Sequence, residues 1–104
     1  MTSLFYFKLV YTSYTKYYEV NTLWTPLELY NNLKPLILTD FNIENFELAD
    51  TFTKFDGNAE DKPKIEPVNN ITLEQLYGDN IKYIAFYIRV CNYCVIPPND
   101  NMTS

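Results

Sequence analysis

Two aromatic-rich strands, one capped helix and two further strands follow one another along this chain, and that order leaves few architectures open. The helix start is the firmest local signal. Thr25-Pro26-Leu27-Glu28 is a capping box, in which the Thr25 hydroxyl accepts from the Glu28 amide and the Glu28 carboxylate accepts from the Thr25 amide. Pro26 takes the first helical position, where a missing N–H costs nothing. Trp24 before the cap and Leu29 after it form a hydrophobic staple, and Leu29, Tyr30, Leu33 and Ile37 line one side. Pro35 removes a helical hydrogen bond and crowds the preceding turn. The regular helix is therefore expected to end at residues 32–34, with residues 35–38 turning away as an irregular apolar segment.

On either side of this helix the pattern is that of strands. Residues 4–11 and 16–20 are bulky and β-branched, and the polar stretch 12–15 between them predicts a hairpin. Alternation sends Phe5, Phe7, Leu9, Tyr18 and Val20 to the core, and Tyr6, Lys8, Val10, Tyr17 and Glu19 to the opposite face. Residues 46–49 predict a short edge strand. Residues 50–69 lose periodicity and carry Asp56, Glu60, Asp61 and Glu66, which predicts a long, charged, mobile loop with room for an extra strand at 51–55. Residues 72–76 make a helical turn and 78–80 a chain reversal. Residues 81–90 then predict the longest strand, with Ile84, Phe86 and Ile88 inside and Tyr83, Ala85, Tyr87 and Arg89 outside. The expectation is one α+β domain over residues 1–90, four to five strands with one main helix. Residues 91–104 form an extended tail, because Pro97-Pro98 forbids regular structure.

Composition removes several functions. The chain has no His, so the usual general base and commonest metal ligand are missing. Its net charge of −5 opposes binding to a phosphate backbone, so no nucleic-acid partner is expected. No glycine-rich phosphate cradle and no nucleophile–base set occurs, and neither an enzyme nor a cofactor is expected. The first eight residues lack a basic leader and Lys8 breaks their apolar run, and no stretch has the length of a membrane span; a cytoplasmic location without membrane partners follows. Cys91 and Cys94 form a CxxC, but it follows a strand and precedes Pro97-Pro98, so no helix dipole is there to activate a thiolate. Free structural thiols are the expectation and no metal is assigned; a local disulfide requires an oxidising setting, and a metal- or redox-linked protein using the pair is the lesser alternative. A four-thiolate site shared across a homodimer is the metal-linked alternative, since one chain supplies two of zinc's four ligands.

The tyrosines carry the functional expectation. Ten Tyr and seven Phe exceed what a core of this size needs. Alternation gives Tyr6, Tyr17, Tyr83 and Tyr87 the outward parity of their strands, as it does Lys8, Glu19 and Arg89. Tyr couples a large apolar body to a polar tip and is enriched at protein interfaces. Tyr6, Lys8, Tyr17, Tyr83, Tyr87 and Arg89 are the expected partner-binding set.

Over residues 4–90 these spacings resemble ubiquitin and its relatives. Val20 and Thr25 have the spacing with which, in that family, a valine ends the second strand ahead of the threonine that caps the helix. The distance from Thr25 to Phe46 is similar, and Thr72-Leu73-Glu74-Gln75-Leu76 followed by Ile84-Ala85-Phe86-Tyr87-Ile88 resembles the family's last turn and strand. The resemblance implies an α+β, ubiquitin-like β-grasp fold, a mixed four- to five-stranded sheet packed on one main helix, with the first strand between the second and the last and Tyr6, Tyr17, Tyr83 and Tyr87 on the face away from the helix. Two departures qualify it: the loop before Thr72 is longer, and Cys91-Asn92-Tyr93-Cys94-Val95-Ile96-Pro97-Pro98 holds no glycine. A conjugated modifier needs a flexible diglycine end, so the resemblance implies a non-conjugating, non-catalytic protein-binding module. The Asn-, Ile- and Tyr-rich, Gly-poor composition also resembles proteins of AT-rich genomes, large DNA viruses included. The alternative expectation is a small structural subunit of a large assembly such as a virion.

Overall fold

The hairpin forms where alternation places it. In a computed structural model of the chain, which describes residues 2–53, 57–58, 61–94 and 96–97, β1 (Thr2–Leu9) pairs antiparallel with β2 (Thr15–Asn21), Phe5 opposite Tyr18 and Tyr6 opposite Tyr17. The connection needs no Asn-Gly turn. Tyr11 takes the left-handed conformation at φ 65°, and the Thr12 hydroxyl donates to the Leu9 carbonyl at 2.8 Å while accepting from the Tyr14 amide at 3.1 Å. A side chain thus does the work that glycine does in shorter turns. Val10, expected on the outer face, lies beyond the end of β1 and is buried.

The capping box closes as read. The Glu28 amide donates to the Thr25 hydroxyl at 3.2 Å and the Thr25 amide donates to the Glu28 carboxylate at 2.9 Å. Helix α1 spans Pro26–Phe41 and continues through Pro35, which corrects the expected end at residues 32–34. Pro35 is exposed, so the carbonyl it deprives of a donor lies on the solvent side, while Leu33 and Ile37 are fully buried on the other. Burying one such side chain gains about 1.5–3 kcal/mol, comparable with the cost of about 3 kcal/mol for an internal proline. The added turns also bring Asp40 within 2.7 Å of the Tyr18 hydroxyl, which donates to it. Asn42, left-handed at φ 57°, ends the helix with its amide on the Leu38 carbonyl at 3.0 Å.

Strands β3 (Phe46–Asp50) and β4 (Phe86–Val90) complete a four-stranded mixed sheet in the order β2-β1-β4-β3. The central pair, β1 and β4, is parallel, with Phe7 beside Phe86. β4 is shorter than expected. Helix α2 (Leu73–Tyr77), with its own capping box at Thr72, runs into a 3-10 helix over Gly78–Tyr83, which takes residues 81–83 out of the sheet and leaves β1 the longest strand. Ile81, whose parity with Tyr83 and Ala85 would put it on the outer face of a strand, reaches the core from this helix. The amides at the start of α2 dock on the segment before α1, Leu73 to the Trp24 carbonyl at 2.8 Å and Glu74 to the Thr22 carbonyl at 3.0 Å. α1 and the sheet enclose Phe7, stacked on Phe86 with centroids 4.9 Å apart, together with Val20, Leu29, Leu33, Ile37, Leu48 and Ile88.

Strand β3 is an edge, as expected, and it is closed by the segment after it. The Ile65 amide donates to the Leu48 carbonyl at 2.7 Å. The Leu48 amide donates to the buried Tyr30 hydroxyl at 2.9 Å, and that hydroxyl donates to the Ile65 carbonyl at 2.6 Å. An exposed edge invites pairing with other chains, and this clamp removes the invitation. Residues 51–53 form bends and not the start of an extra strand; Lys54 and Phe55, which complete that expectation, lie outside the described residues, as do Asp56 and Glu60. The expected extended tail is corrected in part. Residues 91–94 turn, Ile96 is buried in the core cluster, and the Asn31 side-chain amide donates to the Pro97 carbonyl at 3.0 Å. Pro98 and the residues after it lie outside the described residues.

Candidate functional site

The sheet face away from α1 is assembled by register. Leu4, Tyr6 and Lys8 of β1 stand opposite Glu19, Tyr17 and Thr15 of β2, and Lys8 stands beside Tyr87 of β4. Tyr6 and Tyr17 meet edge to face with centroids 5.4 Å apart, a favoured geometry for rings. Tyr6 is 37% and Tyr17 63% exposed, and Leu4 beside them 66%.

A groove of about 570 Å³ opens next to this pair. Its origin lies in the backbone. β4 keeps β1 company only from Phe7 onward; one residue before β4, Ala85 turns instead to the end of β3, accepting from the Thr51 amide at 3.0 Å and donating to the Thr51 hydroxyl at 2.9 Å. Gly78, at φ +59°, starts the 3-10 helix that takes the place of a strand here. Between the first half of β1 and this helix lie the buried side chains Phe5, Ile81 and Ile84, flanked by the exposed Leu4, Tyr6, Tyr17, Asp79, Lys82 and Tyr83. Tyr83 is 83% exposed. Three of the expected tyrosines therefore share one groove, although Tyr83 reaches it from a 3-10 helix and not from the sheet.

The chain matches no family model, no curated protein and no solved structure.

The other expected residues divide. Lys8 and Tyr87 are half-buried neighbours on the same face. Arg89, expected on the exposed outer face, is instead buried, which corrects its expected exposure. Its guanidinium pairs with the Glu47 carboxylate at 2.7 Å and donates to the Lys62 carbonyl. The reason is the segment carrying Lys62, which is held by the Lys62 ammonium on the Thr53 carbonyl at 2.7 Å and covers the β3–β4 end of the face. Alternation gives the side of a sheet a residue faces, but not what a later loop lays across it. Ile81, Ile84, Asp79 and Lys82 were missed as groove residues because residues 78–80 read as a turn and residues 81–90 as one strand. The capping box at Thr72 followed by Gly78 was the available sign that a helical segment precedes β4.

Cys91 and Cys94 form a disulfide, against the expectation of free thiols. The turn that donates the Cys94 amide to the Cys91 carbonyl at 3.2 Å brings their Cα atoms to 5.3 Å, inside the range a disulfide needs. The Sγ of Cys94 lies 3.4 Å from a Glu47 oxygen, and Glu47, Cys91 and Cys94 make one cluster of metal-ligating types. Joined sulfurs are not thiolates, and Arg89 already neutralises Glu47, so the oxidised pair is a poor cation cradle.

The buried phenols are structural. Burial, and then its hydrogen bond to Asp50, push the Tyr77 hydroxyl far above its ordinary range; burial does the same for Tyr30. The Tyr77 hydroxyl donates to Asp50 at 2.6 Å, and Asp50 also accepts from the Thr53 amide at 2.7 Å. These phenols stay protonated and hold the loop, with no acid–base role near neutral pH. Among the described residues no helix is long and apolar enough to cross a membrane.

Proposed function

We propose that this chain is a ubiquitin-like β-grasp module of the non-conjugating kind, which binds another protein through its tyrosine-bearing sheet face and the adjoining groove. The fold reading is supported by the order β2-β1-β4-β3 with a parallel central pair, and by the single long helix between the second and third strands. One observation carries the function: Leu4, Tyr6, Tyr17 and Tyr83 are exposed around one groove. Large side chains scattered singly over a surface need no explanation, but a contiguous group beside a concavity marks an interaction site. No step of chemistry belongs to this reading. The site is a recognition surface, its rings supplying apolar contact at low entropic cost and their hydroxyls orientation.

The test uses the intact chain to capture its partner from native cells, followed by a binding measurement with that partner purified. The pair Tyr6→Ser and Tyr17→Ser is expected to weaken binding at least about 100-fold, the scale of two interfacial tyrosines, with the far-UV circular dichroism unchanged. Equal affinity of the variant and the native chain would end this reading.

A second reading, a subunit enclosed in a large assembly, draws on the exposed apolar residues elsewhere. Tyr11, Leu23, Leu36, Leu38, Val90 and Tyr93 are exposed on other parts of the surface. A chain that sediments as a lone monomer at high concentration and resists incorporation would count against it.

A further inference from the structure

The groove is bounded by more than rings; one wall is a strand edge with open hydrogen-bonding positions. On β1 the amide of Leu9 turns toward β2, donating to the Tyr14 carbonyl at 3.0 Å, and that of Val10 toward β4, donating to the Ile88 carbonyl at 3.0 Å. Successive residues of a strand alternate in this respect. The odd-numbered residues Ser3, Phe5 and Phe7 therefore spend their backbone groups on β2, and the even-numbered Leu4, Tyr6 and Lys8 turn theirs the other way. The parallel ladder with β4 begins at Phe7 and Phe86, which engages the Tyr6 carbonyl and the Lys8 amide. Nothing among the described residues takes up the Tyr6 amide, or the amide and carbonyl of Leu4. These three groups face the groove.

We propose that this recessed edge receives an extended segment of a partner protein, which adds a strand beside residues 4–6 of β1. The inference rests on the protein-binding reading above and names the form of the partner. Main-chain pairing supplies affinity in such additions, and alternate side chains supply specificity. One set of side chains from the added strand meets Phe5, Ile81 and Ile84, so it is apolar. The other lies among Tyr6, Tyr17 and Tyr83. The charges of the groove are Glu74, Asp79 and Lys82, one acid in excess, on a chain of net charge −5. The segment is therefore apolar and basic in alternation, not acidic. A second copy of this chain does not suit the site. Its own β1 edge carries the same excess of acid, on a chain of net charge −5, and like charges oppose the pairing.

The probe is a capped heptapeptide alternating Val and Lys, added to the full-length chain labelled with nitrogen-15 and followed by backbone amide spectra and hydrogen exchange. At saturation, exchange at the Leu4 and Tyr6 amides is expected to slow at least about 10-fold while Ser3 and Phe5, already paired with β2, hold their rates. N-methylating the peptide along one edge is expected to abolish binding, and along the other edge to leave it intact. Val alternating with Glu is expected to bind at least about 10-fold more weakly, through like-charge repulsion. Absence of any shift at 2 mM peptide (about 4 kcal/mol of affinity) overturns the proposal. So does binding at the tyrosines that ignores N-methylation, or protection of Leu4 and Tyr6 that rises with the concentration of the chain alone. These results leave the capture experiment with Tyr6 and Tyr17 untouched, so a surface that binds protein by other means is distinguished from one that binds nothing.

Discussion

Replacing Tyr30 by Phe tests how the β3 edge is kept closed. The ring stays in place beside Phe46, at a centroid distance of 5.9 Å, so the substitution removes one oxygen and little packing. That oxygen accepts from the Leu48 amide at 2.9 Å and donates to the Ile65 carbonyl at 2.6 Å, and Tyr30 is 3% exposed. Its loss leaves one buried donor and one buried acceptor without a partner. Each such orphan costs about 1–3 kcal/mol, and partial relaxation of the loop brings the sum to about 2–4 kcal/mol. Against a total stability of about 5–15 kcal/mol this is a large fraction. Urea unfolding followed by Trp24 fluorescence should show the midpoint lowered by about 1–2 M at unchanged slope, given about 1–3 kcal/mol/M for a domain of this size. Thermal unfolding should fall by about 8 °C or more. The Ile65 amide should also exchange faster, because its contact with the edge strand is released. A loss below about 0.5 kcal/mol, the scale of neutral surface changes, would refute the clamp and place the edge's satisfaction elsewhere.

Pro35→Ala should stabilise the chain by about 1–3 kcal/mol, since α1 runs through this exposed position and alanine restores a helical donor at no packing cost. A fall in melting temperature would show that the proline's rigidity in the unfolded chain outweighs its helical cost. The alkaline limb of stability should reveal the buried phenols. Tyr30 and Tyr77 hold their protons in the folded state well above the ordinary tyrosine value near 10, whereas the unfolded chain releases them there. Their contribution is complete below pH 10 and falls by about 1.4 kcal/mol per pH unit for each phenol as the pH rises beyond it. Tyr77→Phe should make that slope shallower by one such increment in denaturation series at pH 9, 10.5 and 11; identical slopes would overturn the assignment.

Local chemistry was legible wherever the residues that decide a structure are neighbours in the chain. The capping box at Thr25, the helical turn at residues 72–76, the faces of β1 and β2, and the edge position of β3 all follow from spacing over a few residues. The failures have one physical origin. Pro35 lies in a helix because Ile37 and Asp40 have distant partners in the core and at Tyr18. Residues 81–83 leave the sheet because α2 docks on the Trp24 and Thr22 carbonyls and carries the chain past β1. Arg89 is buried because a loop from residues 61–66 returns over it.

Short-range pattern determined by itself that this is an α+β arrangement, strands about a single long helix, with tyrosines at the outward positions of β1 and β2. Tertiary structure alone decided that Tyr6, Tyr17 and Tyr83 converge on a groove, and that the first half of β1 has backbone groups that nothing among the described residues takes up. The period of a strand specifies which way a side chain points, but whether its edge is paired depends on where another part of the chain goes. Here β4 ends its partnership with β1 at Phe86, and the opening that results is what a partner strand would fill.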